Sequence, residues 1–374
     1  MRVLFVDTGV GFAGGQAGLV ELLKNLDASN FAPVVASPAA SAVGEKCREM
    51  GLDWRVLPFA SVSLARGGEA GSLGRLGDLG SSLYGVVYLA GLMRRLKIDL
   101  VHANTFKAAL VSGLACLFSG RPMVFHDRTQ IKRGLLGRLV ELLSARIIVI
   151  SRAVAGKHTA RAAPKTRLVY DGVDTVHFTP RSLGPPGVVA GYLGRISEEK
   201  GLDLLVECAR AVLELVPRAR FAIGGRPFTA EDVAYFDRVR LRVAELGLEQ
   251  SFHFAGEVGD VRAFLEGISL LVMPSRWEGL GIVALEAMAL ERPVVAFRTG
   301  GIAEVVSDGQ TGVLVSPGDK DGLARSIANL LADKDAARLM GQKGRERVLE
   351  RFTGKIMGEN IIRIYFEIAD GRGR

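Results

Sequence analysis

Cysteine is scarce: three residues in 374, Cys47, Cys116 and Cys208, far apart and with no Cys-x-x-Cys. An odd, scattered set excludes a disulfide framework and a thiolate zinc site, and it suits a reducing compartment. The five histidines show no His-x-x-x-His spacing, which removes the simplest helical metal pair. No apolar run is long enough to span a bilayer. The longest uncharged stretch of apolar character, Leu79–Met93, is closed by Arg94 and Arg95 and falls short of the roughly 20 residues a span needs. The opening MRVLFVDTGVG has one Arg and a short apolar run before Asp7, and reads as a first strand rather than a signal peptide. No basic motif is interleaved with aromatics, so a nucleic-acid partner is not expected.

What is present is an ordinary soluble composition, 48% hydrophobic and 24% charged, with a length that suggests two domains at roughly 100–200 residues each. The formal net charge is +8. It is unevenly placed. Residues 1–180 carry 22 Lys and Arg against 13 Asp and Glu, and the remainder is close to neutral. Within the first half, residues 121–167 hold 11 basic residues against Asp127 and Glu141. A basic excess calls for an anionic partner.

Short runs rich in Val, Ile and Phe alternate with helical patterns. Strands are expected at 2–7, 32–37, 53–57, 100–102, 122–125, 146–150 and 167–170. A second series falls at 188–193, 220–224, 252–255, 270–273, 293–296 and 312–315. Helices are expected between most of them, among others at 16–27, 82–96, 107–119, 134–144, 202–215, 232–246, 258–267, 281–289 and 323–332, with a last one near 353–370. Continuously apolar strands joined by helical crossovers indicate parallel sheets covered on both faces. The pattern runs twice and breaks at the Pro/Gly stretch Thr179–Gly187. The fold class is therefore α/β: two doubly wound, Rossmann-like domains, 1–180 and 187–352, facing a cleft, with ligands beyond the carboxyl ends of the strands. Residues 60–82, rich in Gly and Ser, read as a long loop.

Three stretches carry chemistry. After the first strand, Gly9, Gly11 and Gly14 match G-x-G-x-x-G. A dinucleotide site would need an acid about 20 residues on. The second strand ends Ala36-Ser37-Pro38 instead, so the loop suits a phosphate or sugar, or is a plain tight turn. In the second half, Arg195 and Lys200 flank a turn after the strand 188–193. Two cations there suit a diphosphate, or are surface charges paired with Glu198 and Glu199. Finally, Met273-Pro-Ser275-Arg-Trp-Glu278-Gly279-Leu280-Gly281-Ile282 leads into a helix carrying Glu286. The glycines leave the helix N-terminus open to phosphate or sugar hydroxyls, and the two carboxylates could hold two parts of one ligand. A helix start with Glu278 near the dipole and a solvated Glu286 is the plainer alternative.

The second half resembles the nucleotide-sugar domain of retaining glycosyltransferases of family 4, which have the GT-B fold. The matching residues are Gly194-Arg195…Glu199-Lys200-Gly201, Phe252-His-Phe-Ala-Gly256, Pro274-Ser275…Glu278-Gly-Leu-Gly281…Leu285-Glu286, Pro293-Val-Val-Ala and Gly300-Gly301…Glu304. The first half matches more loosely, at Gly14-Gly15, Asp99-Leu-Val-His102, Val124-Phe-His126-Asp127 and Ser151.

The resemblance implies a nucleoside-diphosphate sugar as co-substrate and a sugar or lipid-linked acceptor, with no cofactor and no metal. Arg195 and Lys200 would neutralise the leaving diphosphate. Glu286 would bind the ribose. Glu278, with the backbone of Gly279, Leu280, Gly281 and Ile282, would hold the donor sugar. Gly14 and Gly15 would admit the donor, and His126 would meet its sugar. Gly256 would border the base, and Ser275 is a further polar contact. One departure is Asp171, where the family usually has Asn. An epimerase or phosphorylase of the same fold, or a non-catalytic membrane-associated binding protein, remain alternatives. A cytoplasmic protein is expected. Peripheral docking on anionic lipid through 121–167 stands beside a core-packed helix with a solvated basic face.

Overall fold

The computed structural model describes residues 1–58, 72–181 and 187–371, with 72–79 by backbone only. In chain order, the first series of elements is β1 (Arg2–Val6), α1 (Gly14–Lys24), β2 (Ala32–Ser37), α2 (Ala42–Glu49), β3 (Asp53–Val56), α3 (Ser72–Arg95), β4 (Leu100–Ala103), α4 (Phe106–Ser119), β5 (Met123–Asp127), α5 (Gly134–Leu143), β6 (Arg146–Val149), α6 (Arg152–Ala155) and β7 (Thr166–Leu168). The second series is β8 (Val189–Leu193), α7 (Leu202–Leu215), β9 (Arg220–Gly224), α8 (Ala230–Glu245), β10 (Phe252–Gly256), α9 (Val261–Glu266), β11 (Leu270–Met273), α10 (Ile282–Ala289), β12 (Val294–Phe297), α11 (Ile302–Val305), β13 (Gly312–Val315), α12 (Lys320–Ala332) and α13 (Lys334–Arg351). The last helix is α14 (Gly354–Ala369).

The strands form two sheets, ordered β3-β2-β1-β4-β5-β6-β7 and β10-β9-β8-β11-β12-β13. Every pairing is parallel. In each sheet the strand order reverses beside its first strand, at β1/β4 and at β8/β11, the point where doubly wound sheets open a crevice at their carboxyl ends. Strands such as Leu100–Ala103, Arg146–Val149 and Leu270–Met273 are buried throughout because helices cover both faces.

The chain divides into two compact units, Met1–Gly172 with Gly354–Arg374, and Val173–Thr353. The chain therefore leaves the first unit at Gly172, ahead of the Pro/Gly stretch. Residues 173–181 are tied to the second unit. The Val173 amide donates to the Phe352 carbonyl, Arg262 donates to the carbonyls of His177 and Thr179, and Arg345 donates to that of Phe178. Residues 182–186 of the stretch lie outside the described residues. In the first unit α14 packs against α1, and its Met357, Ile361, Ile364 and Tyr365 enter the same core as Phe5, Leu22 and Ile148.

Besides the one-turn helices α6 and α11, which were not expected, two longer helices depart from expectation. α3 begins at Ser72, so the Gly/Ser stretch is helical ten residues earlier than predicted; its residues 60–71 lie outside the described residues. α13 was not anticipated. It is strongly polar, and its buried stripe is Ala337, Gly341, Gly344 and Val348, residues too small to register as an apolar face. The stripe serves close approach: a Cβ on Gly341 would stand 2.0 Å from the Glu291 carbonyl oxygen.

Candidate functional site

The second unit gathers three loops at the carboxyl ends of its strands. The loop after β8 carries Arg195 and Lys200, the loop after β11 carries Pro274–Gly281, and the loop after β12 carries Thr299–Gly301. They are held against one another through the backbone. The Arg276 amide donates to the Glu199 carbonyl at 2.8 Å, the Gly301 amide to the Glu278 carbonyl at 2.9 Å, and the Thr299 hydroxyl to the Ser275 carbonyl at 3.0 Å. Two glycines make this closeness possible. Gly201 and Gly300 both have positive φ, and a Cβ would stand 2.1 Å from the Pro274 carbonyl oxygen in one case and 1.9 Å from that of Glu278 in the other. Arg276 reinforces the join with a forked ion pair to Asp203.

At the centre of these loops the Glu278 carboxylate is buried. Its Oε1 accepts from Lys200 Nζ at 2.7 Å and from the Ser275 hydroxyl at 2.8 Å. The structure thus brings Lys200, Ser275 and Glu278 into one cluster. Lys200 pairs with Glu278 and not with Glu198 or Glu199. Arg195 does meet Glu199, at 3.7 Å, and donates to the Ser197 hydroxyl. Leu280 points into the core, so only its backbone is offered to the loop.

The N-cap of α10 is Gly281, in the left-handed region, and it has no side chain to cap the helix. Its first N–H groups and the positive end of its dipole are free for an anion or hydroxyl. Four residues into this helix, Glu286 is mostly buried, and among the described residues no hydrogen bond or ion pair reaches its carboxyl. Burial pushes its pKa up to about 8. Gly256 ends β10, and its carbonyl accepts from the Gly225 amide at 2.7 Å. A Cβ on Gly225 would stand 1.8 Å from the Gly194 oxygen, so the ends of β8, β9 and β10 are also drawn together.

The first unit builds a separate polar network at the ends of β1, β4 and β5. Asp7 accepts from the Gly9 amide at 2.7 Å, from Asn104 Nδ2 at 2.5 Å and from Gln16. Burial raises its pKa even so. Asn104 also donates to the Gly15 carbonyl at 3.2 Å. These bonds shape the turn before α1, whose start at Gly14 and Gly15 has no side-chain cap. His126 is buried beside His102, with the two rings bonded at 3.2 Å, and the Tyr365 hydroxyl meets the other nitrogen of His102 at 2.6 Å. Burial lowers the pKa of both rings, and the Arg128 charge lowers them further; His102 falls to about 3. Asp171 is fully buried and ion-paired with Arg128 at 2.8 Å.

The motifs singled out Gly14, Gly15 and His126 in this unit but not Asp7, Asn104, Arg128 or Tyr365. A signal for two of them existed. Asn104 and Arg128 each follow a strand-end histidine by two positions, and alternation along an extended chain puts such pairs on one side.

On a neighbouring surface, α5 buries only Val140. Leu135 is 80% exposed and Leu142 66%, with Ile131 and Leu136 half exposed. α5 rests on α4 through Val140 and Leu143, while a second apolar strip, Leu135 and Leu142, faces outward. Behind it, His158 bridges Asp127 at 3.1 Å and Glu141 at 2.9 Å, which raises its pKa despite burial. Among the described residues no helix is long and apolar enough to cross a membrane, and no group of His, Cys, Asp or Glu is placed to hold a metal.

Two all-parallel, doubly wound units of this kind are the architecture of the GT-B class. The sequence comparisons agree. Residues 12–177 match the family described as Glycosyltransferase Family 4, and residues 182–347 match Glycosyl transferases group 1. An alpha-maltose-1-phosphate synthase of Mycolicibacterium smegmatis is 30% identical over 312 residues, 72% of this chain and 79% of that protein. The lipopolysaccharide core biosynthesis mannosyltransferase LpcC of Rhizobium leguminosarum bv. viciae is 36% identical over 198 residues, half of this chain and 55% of its own length. Anabaena HepE, solved in complex with UDP and glucose, superposes with a TM-score of 0.81 at 24% identity, covering 97% of this chain and 98% of its own, a likeness of fold. The chain belongs to glycosyltransferase family 4.

Proposed function

We propose that the protein transfers a sugar from a nucleoside-diphosphate sugar to an acceptor hydroxyl with retention of anomeric configuration. The observation that carries this reading is the cluster of Lys200, Ser275 and Glu278 at the ends of β8 and β11, beside the loop that leads to the N-terminus of α10. As the bond from the anomeric carbon to the phosphate oxygen breaks, positive charge grows on the sugar ring and negative charge on the diphosphate. Arg195, Lys200 and the N–H groups of α10 meet that negative charge, and their help grows toward the transition state. With these cations in place, the donor needs no metal to leave. Glu286 accepts from the ribose hydroxyls. Glu278, with Ser275 and the backbone of Gly279–Ile282, holds the sugar, while Gly256 borders the base. Gly14, Gly15 and His126 are assigned to the donor by the family resemblance alone. The acceptor proton passes to the departing phosphate oxygen, so the charges balance without a separate base.

The acceptor reading rests on charge and on relatives. The first half carries the whole basic excess, and relatives such as LpcC and the capsular polysaccharide glycosyltransferase CapM of Staphylococcus aureus are named for cell-surface polymers. We infer an anionic, membrane-held acceptor, with α5 docking on the lipid of the inner face. The test is release of nucleoside diphosphate from a donor panel, with mass spectrometry of the product. Lys200→Ala is expected to lower turnover at least about 100-fold, the scale seen when one oxyanion donor is removed, and Glu286→Ala to raise the donor KM. Wild-type activity in both variants sinks the assignment.

A further inference from the structure

The turn that carries Lys200 has little to hold it by itself. It is a single 3₁₀ turn, Glu198–Lys200. The Lys200 amide closes it on the Ser197 carbonyl at 3.0 Å, and the Gly201 amide on that of Glu198 at 3.2 Å. Turns this short have poor hydrogen-bond geometry. Lysine also puts a flexible four-carbon stem between backbone and charge. Where its ammonium sits therefore depends on how firmly the turn is fixed from outside.

Arg276 supplies that fixing. Its backbone amide donates to the Glu199 carbonyl at 2.8 Å, and its Nη1 to the Glu198 carbonyl at 2.6 Å. One residue thus takes both carbonyls that immediately precede Lys200. The guanidinium is aimed by its fork to Asp203, with Nη1 to Oδ1 at 3.0 Å and Nη2 to Oδ2 at 2.7 Å. Asp203 is aimed in turn by Tyr235 of α8. The Tyr235 hydroxyl donates to Asp203 Oδ1 at 2.6 Å and accepts from the Asp203 amide at 2.9 Å. That amide is one of the first N–H groups of α7, which starts on Gly201 with no side-chain cap. Tyr235 therefore fixes the helix start together with the carboxylate. The whole chain, from Tyr235 through Asp203 and Arg276 to the turn, lies within the second unit.

Arg276 also belongs to the loop that carries Ser275 and Glu278. By tying that loop to the turn, it sets the separation across which Lys200 Nζ meets Glu278 Oε1 at 2.7 Å. The side chains of the Arg276–Asp203 pair are 40% and 35% exposed, and pairs as open as this add little to stability. The effect of the pair is on placement.

We infer that Arg276, with Asp203 and Tyr235 behind it, is a positioning residue for Lys200, holding the turn 198–200 so that the ammonium stands at the leaving diphosphate. This rests on the reading that Lys200 meets that diphosphate. Misplacing a reacting group by about 1 Å can cost on the order of 100-fold in rate, so loss of the clamp shows in turnover before it shows in melting.

The experiment has two arms, and the first needs no donor. Trace acetylation with acetic anhydride, read by peptide mass spectrometry, gives the relative reactivity of each lysine. An amine held as an ammonium beside a carboxylate reacts slowly. In Arg276→Met the reactivity of Lys200 is expected to rise at least about threefold, while that of Lys334, exposed at the start of α13, stays constant. Asp203→Asn replaces one acceptor of the fork by a donor; it is expected to raise Lys200 reactivity as well, and it serves should Arg276→Met not fold. Unchanged Lys200 reactivity in the folded variants overturns the inference.

The second arm uses a donor that the wild type turns over. Arg276→Met is expected to lower kcat at least about tenfold and to change the donor KM less than about threefold. Its melting temperature should stay within about 4 °C of the wild type. Arg276→Lys keeps the charge but loses the fork, and it is expected to remain impaired; wild-type turnover in that variant overturns the inference. Adding Arg276→Met to Lys200→Ala is expected to cost less than about threefold more. Full additivity overturns the inference, because a residue acting through Lys200 must be coupled to it. A turnover loss that only follows a large fall in melting temperature marks a structural role and overturns it too. A wild type that turns over no donor removes the functional reading, while the labelling still decides whether Arg276 places Lys200.

Discussion

Replacing Glu286 with Gln tests the buried carboxyl of the second unit in two independent ways. The folded pKa is near 8, whereas an unfolded glutamate titrates near its model value of 4.5. Below the lower value both states hold the proton, and the folded state has its full stability. Between the two values the unfolded chain has ionised while the folded chain keeps its proton, so stability falls as pH rises and levels off above the folded pKa. The whole shift corresponds to about 5 kcal/mol. Partial exposure of the side chain reduces this to roughly 2–3 kcal/mol. The Gln variant lacks this decline, so it should match the wild type at pH 4.5 and exceed it at pH 8. Urea denaturation reports it well, since the two tryptophans divide between the units: Trp54 in the first and Trp277 in the second. In a Trp54→Phe background the fluorescence follows the second unit alone. The same group predicts proton release on binding. If the ribose hydroxyls are held by the ionised carboxylate, a nucleoside diphosphate should expel about 0.9 proton at pH 7, and calorimetry in buffers of different ionisation enthalpy measures it. Equal pH dependence of the two proteins refutes the buried titration. Binding without proton release refutes the contact with ribose.

Two further outcomes are expected. Gly225→Ala should cost about 3 kcal/mol, because its Cβ meets the Gly194 oxygen, a backbone atom that cannot turn away; the second unit should melt about 6–12 °C lower, and a fall under 2 °C would show that the β8 and β9 loops are free to separate. Flotation with anionic vesicles should carry the wild type upward at low salt and release it at high salt, while Leu135→Glu/Leu142→Glu should abolish binding. Wild-type protein that stays at the bottom at low salt removes the lipid-docking role of α5.

Much of the architecture was legible because it is written in local pattern. Strands such as 270–273 are apolar on both faces, and only a covered parallel sheet asks for that. The loops at 194–201 and 274–286 stood out in the sequence by their glycines and charged residues, and the structure shows why one of those glycines is needed: a Cβ on Gly201 would stand 2.1 Å from the Pro274 carbonyl oxygen. α13 was not, because its packing stripe is made of glycine and alanine and carries little hydrophobic signal. Nor was the start of α3, where Gly and Ser imitate a loop.

The residue types at the ends of the strands, and their order along the chain, were properties of the sequence alone; they were enough to point to two doubly wound units and a family. Which of those residues act as pairs was decided by the tertiary structure. Lys200 and Glu278 are 78 positions apart, and Arg128 and Asp171 are 43 apart, separations at which no spacing rule operates. Burial has the same origin. Whether Glu286 is a solvated helix residue or a carboxyl with a pKa near 8 depends on what other segments lay over it, and desolvation is a property of the packed surroundings, not of the residue that feels it.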